Sequence, residues 1–102
     1  KLRRRSRVPE LSMKPIEFDK SFIKAYKKRI VHDQKLKKRF GLRFAQWQSG
    51  ERSAPLFDHA LGGSMLGLRA FSVSGDVRVI YYETDEAYVF TDVGTHAQVY
   101  GE

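Results

Sequence analysis

Apolar residues recur at helical spacing in two consecutive stretches of the chain, then at alternating positions in three later ones, with a glycine-rich loop between the two regimes. Phe22, Ile23, Tyr26 and Ile30 form the first stripe, which predicts an amphipathic helix capped by the side-chain oxygen of Asp19 or Ser21. His32 and Asp33 interrupt it. Leu36, Phe40, Phe44 and Trp47 form a second stripe, predicting a helix over 34–48 that Ser49-Gly50 ends. Gly41 weakens that helix by roughly 1 kcal/mol relative to alanine. Ahead of both helices, residues 15–18 predict a short strand, and residues 51–67 predict a loop.

The segments 68–73, 77–83 and 87–92 are β-rich, and three-residue turns at 74–76 and 84–86 join them as antiparallel neighbours. Residues 93–100 add a further short extended piece. The expectation is an α+β fold in which an N-terminal helical hairpin packs on one face of a small antiparallel sheet. Trp47 is expected to anchor helix to sheet. Tyr81 and Tyr82 face opposite sides of their strand, so one of them belongs to the core.

At 102 residues the chain has the size of one domain. It lacks any apolar run near the ~18 residues that suggest a membrane span. Cysteine is absent, which excludes disulfide staples and thiolate zinc sites and agrees with a cytoplasmic location. Residues 1–13, KLRRRSRVPELSM, have no apolar periodicity and are expected to be a flexible basic arm or sequence upstream of the true start, with the domain over 14–102.

Charge changes the picture more. The net charge of +7 is unevenly spread: the first 43 residues hold 16 Lys or Arg against four acids, and the remainder holds three against eight. A basic half that releases condensed counterions makes nucleic acid the natural partner, although an acidic protein or an anionic membrane would answer the same charge.

No metal-ligand spacing links His32, His59 and His96, and Gly62-Gly63 lacks the lysine and helix of a phosphate loop. The chemistry-bearing residues that remain are dispersed: Asp58 and His59 in the long loop, Asp76 at a turn, Arg78 in the next strand, His96 and Tyr100 near the C-terminus. Cleavage of RNA by its own 2′-hydroxyl needs a base, an acid and a cation for the phosphorus-centred transition state. Histidine suits the first two and arginine the third, with no metal or cofactor required.

In their order, these residues resemble the YafQ branch of the RelE toxin superfamily. Asp58-His59 is followed by Leu and Gly, then Gly67-Leu68-Arg69 opens a strand. Asp76 sits at a turn, Ile80-Tyr81 near the end of a strand, and Gly94-Thr95-His96 before a terminal aromatic. The resemblance covers about residues 14–100 and implies a RelE-like, microbial-ribonuclease-like fold. It also implies a ribosome-dependent mRNA endonuclease toxin of a type II toxin–antitoxin system, with mRNA, ribosomal RNA and a cognate antitoxin as partners. By position it makes His59, Asp76, Arg78, His96 and Tyr100 the site: His96 as acid, His59 or Asp76 as base, Arg78 on the phosphate, Tyr100 stacking on or orienting the base. Ser72 replaces a histidine of the pattern, Val77 an aromatic and Asp92 an arginine. Two alternatives remain: a ParE-like gyrase inhibitor on the same scaffold, or a weakened nucleic-acid-binding member. Arg69 reads equally as a phosphate ligand or as a partner of an acid.

Overall fold

The computed structural model describes residues 14–101, so the basic arm at 1–13 and the last residue lie outside the described residues. The elements run β1 (Ile16–Phe18), α1 (Lys20–Arg29), α2 (Gln34–Gln48), β2 (His59–Ala60), a 3-10 turn (Gly63–Met65), β3 (Arg69–Ser72), β4 (Val77–Glu83), β5 (Tyr88–Thr95) and α3 (His96–Tyr100). Both long helices start where their caps dictate: Asp19 accepts from the Ser21 amide, and Asp33 from the Leu36 amide at 3.1 Å. The Ser21 bonds hold the Asp19 carboxyl below its ordinary value.

The sheet has five strands in the order β1-β5-β4-β3-β2. Its hairpins are antiparallel as expected, but β1 pairs parallel with β5, so the sheet is mixed. A parallel neighbour needs a long connection, and everything between β1 and β5 supplies it. Two further expectations change. The loop over 51–67 holds the short edge strand β2 and the 3-10 turn. Residues 93–100 are not one extended piece: β5 continues to Thr95 and α3 follows. The cause is a capping box, in which Thr95 accepts from the Gln98 amide while the Gln98 side chain accepts from the Thr95 amide. Gly101, at φ 74°, ends the helix in the left-handed conformation that glycine adopts without steric cost.

The two faces of the sheet are covered unequally. On one face α1 and α2 lay down the main core, where Phe90 is fully buried with six aromatic rings between 5.2 and 5.9 Å of its own. Trp47 is fully buried against Phe71 and Tyr81, as the packing anchor expected. Phe22 and Tyr26 of α1 meet Phe40 of α2 through their rings. Ile23, counted in the α1 stripe, is instead 42% exposed, and Ala25 is buried in its stead. The helices therefore do not all share one face. On the other side, among the described residues, Ala70 and Ile80 cluster with Val99 of short α3, and Leu61, Met65, Leu68 and Tyr100 pack around them. That thin cover leaves room for open clefts.

Phe90 touches every layer of the main core, so Phe90→Ala should cost about 3–5 kcal/mol through lost contacts and a cavity. Urea unfolding followed by Trp47 fluorescence measures it; a loss below about 1 kcal/mol would contradict this packing.

Candidate active site

A cleft of about 540 Å³ opens on the thinly covered face, and His59, Arg78, His96 and Tyr100 all line it. Four of the five residues singled out in the sequence thus meet in one place, although they come from β2, β4 and α3. The glycine-rich wall from Gly62 to Met65 closes the cleft, a contribution that the sequence flagged only as loop. Among the described residues no three of His, Cys, Asp and Glu are grouped as a metal ion would require.

The fold sets each side chain. β4 directs Arg78 to the same face as Ile80 and Ala70, since alternate residues of a strand share a side. Its cross-strand partners are Ser72 and Gly94. Arg78 Nη1 donates to the carbonyls of Ser74 at 3.2 Å and Gly75 at 3.1 Å, and approaches Ser72 Oγ at 3.4 Å. Ser72, where the resemblance expects histidine, thus helps seat the guanidinium at the β3–β4 turn. His96 opens α3, and its ring lies 4.4 Å from that of Tyr100 one turn later. Its backbone amide donates to the Asp76 carbonyl at 3.0 Å. Asp76 itself is exposed at the turn and is not among the cleft's lining residues.

His59 Nδ1 lies 2.8 Å from the Phe57 carbonyl. A carbonyl oxygen only accepts, so Nδ1 carries the proton and a neutral ring keeps its lone pair on Nε2. Phe57 has φ 48°, a conformation rare for a bulky residue, directly upstream of the cleft.

What holds this segment is Asp58, whose side chain is fully buried. Its Oδ1 accepts from Arg69 Nε at 2.8 Å and Nη2 at 2.7 Å, and its Oδ2 accepts from Trp47 Nε1 at 3.1 Å and from the Tyr81 hydroxyl. Asp58 therefore belongs to the scaffold and not to the cleft, and Arg69 is its partner. The bond to Asp58 raises the Arg69 pKa. Burial first, and then that same carboxylate, push the Tyr81 hydroxyl up to about 12. Tyr82, on the opposite side, is half-buried. Asp92 does not meet Arg78: it pairs with Arg29 of α1 at 3.1 Å.

Replacing Asp58 by alanine leaves Trp47, Tyr81 and Arg69 without their acceptor and should cost about 2–4 kcal/mol, lowered from the fully buried range because Arg69 is partly exposed. Thermal unfolding tests this, and an unchanged melting temperature would refute the hub. Tyr81 gives a pH signature. Its folded pKa exceeds its ordinary value, so the associated stability is intact below about pH 10 and is lost as the pH rises towards about 12. Stability should therefore fall more steeply across that window in the wild type than in Tyr81→Phe; equal slopes would show that the buried hydroxyl is not responsible.

The family model of the YafQ toxin, a bacterial toxin of type II toxin–antitoxin systems, matches residues 14–101. Among curated proteins none matches at a significant level. Among solved structures, YafQ from Escherichia coli is 26% identical with a TM-score of 0.69, covering 87% of this chain and 100% of that one. YafQ in the E. coli DinJ–YafQ toxin–antitoxin complex is 28% identical with a TM-score of 0.68, covering 86% and 98%. A YoeB/ParE toxin from Agrobacterium tumefaciens shares the fold at 12% identity, with a TM-score of 0.65 over 80% and 98%. With its helices, mixed sheet and ordered motifs matched over almost all of the described residues, the chain belongs to the YafQ family of toxins of type II toxin–antitoxin systems.

Proposed function

We propose that the chain is an endoribonuclease that cuts messenger RNA on the ribosome and is held in check by a cognate antitoxin, as the E. coli relative is found in complex with DinJ. The observation that carries this reading is the single cleft that gathers two imidazoles, a guanidinium and a phenol. His59 Nε2 takes the proton of the 2′-hydroxyl, whose oxygen attacks the adjacent phosphorus. Arg78 compensates the extra charge on the phosphoryl oxygens. The bond to the 5′-oxygen breaks as the His96 imidazolium protonates it, leaving a 2′,3′-cyclic phosphate and a 5′-hydroxyl. Tyr100, against the His96 ring, stacks on or orients a base. The structure favours His59 over Asp76 as the base, because Asp76 lies at the exposed turn and reaches His96 through its backbone.

So open and shallow a site, with few groups, supports the idea that the ribosome supplies the positioning of the message. The basic face of α1 and α2 suits ribosomal RNA.

Expression in bacteria tests the proposal. His59→Ala, Arg78→Ala and His96→Ala should each lower message cleavage on the order of 100-fold or more at unchanged thermal stability. Asp76→Ala should stay within about ten-fold of the wild type, the lower edge of a general-base effect. Full toxicity of both Arg78→Ala and His96→Ala would refute the site, and DNA damage without message cuts would mark a gyrase inhibitor. Efficient cutting of naked RNA at low enzyme concentration would refute the ribosome's role.

A further inference from the structure

A second cleft, about 550 Å³, adjoins the first, and Met65 belongs to the walls of both. Met65, Leu68, Ile80 and Ala25 give it an apolar part, Ser21, Thr91 and Asp92 a polar one, and Lys24 and Lys28 of α1 line it as exposed cations. Arg29 closes it from the end of the helix, where Nη1 donates to Asp92 Oδ1 and to the Val93 carbonyl, both at 3.1 Å.

Gly94 makes room for this reach. A Cβ at Gly94 would come within 2.8 Å of Arg29 Nη1 and 2.6 Å of Gln98 Oε1. Gly94 is paired across the ladder with Arg78, so the absent side chain would project on the face that carries Arg78. The guanidinium of Arg29 thus stands over the strand position next to that of Arg78. Asp92 occupies the position where the family pattern has arginine, and through its pairing it brings in a cation from α1.

We propose that this second cleft binds the nucleotide adjoining the scissile phosphate of a single-stranded RNA. The inference rests on the RNA-cleaving reading above. A base lies on the Met65–Leu68–Ile80 side, Lys24 and Lys28 meet its backbone phosphates, and Arg29, paired with Asp92, closes the end of the cleft. An apolar surface beside exposed cations is what single-stranded nucleic acid requires. Met65 borders both clefts, so a strand that passes over it runs from the first into the second. An acidic peptide would answer the rim charge but has no need of that continuity.

The test uses the full chain, labelled for NMR, and two cleavage-resistant 2′-O-methyl oligoribonucleotides, a dinucleotide and a tetranucleotide. The dinucleotide should shift residues of the first cleft, His96 and Tyr100 among them, and leave Leu68 and Ile80 unmoved. The tetranucleotide should also shift Leu68 and Ile80, which line the second cleft and not the first, and should bind about ten-fold more tightly, as one stacked base with its phosphate contact warrants. The Lys24→Ala/Lys28→Ala double variant should lose that gain while still binding the dinucleotide. Shifts confined to the first cleft would overturn the second-cleft proposal and leave the proposed function standing, whereas shifts at neither cleft would overturn both. Shifts of Leu68 and Ile80 by an acidic peptide but not by the tetranucleotide would make the cleft a protein-docking surface and overturn the proposal.

Discussion

A carboxylate buried without partners would be expelled or neutralised; the one at Asp58 is held by Arg69, Trp47 and Tyr81. Those partners come from β3, α2 and β4, so the bonds that satisfy the charge also lock α2 to the sheet. They fix the start of β2 as well. Asp58 immediately precedes His59, so the geometry that satisfies a scaffold charge also sets the imidazole at the mouth of the cleft. Scaffold and site are joined at a single peptide bond.

The second constraint is the unequal cover of the sheet. An aromatic core under α1 and α2 secures one face. The opposite face has only Val99 and a few partly buried side chains from the glycine-containing loop and short α3. So small a chain cannot layer both sides deeply. The first cleft opens on the face it leaves thin, and the second adjoins it, walled on one side by α1.

The departures from the family pattern fit that arrangement. Ser72 cannot shuttle a proton, but it lies across the ladder from Arg78 and helps seat it. Asp92 would oppose a phosphate if it faced one alone. Paired with Arg29 it forms a neutral couple, and the guanidinium of α1 takes the place beside Gly94. Charges that look unfavourable in isolation are resolved by partners far away in the chain.

Taken alone, the sequence determined the elements whose signals are local. The apolar stripes marked α1 and α2, Asp19 or Ser21 marked the start of the first, the break at His32 and Asp33 marked the gap between them, and alternation marked β4 with the limits it has. The ordered motifs marked the family, and four of the residues they single out, His59, Arg78, His96 and Tyr100, line one cleft. The Thr95–Gln98 capping box was also local, yet the alternating pattern leading into it concealed α3. Tertiary structure alone decided the rest, because each remaining feature depends on residues distant in sequence. Parallel pairing of β1 with β5 leaves no mark in a three-residue strand. The roles of Asp58 and Asp92 depend on partners 11 and 63 positions away, and charge type alone cannot say which cation an acid will meet. Periodicity tells a side chain which face to take; only packing tells it what stands opposite.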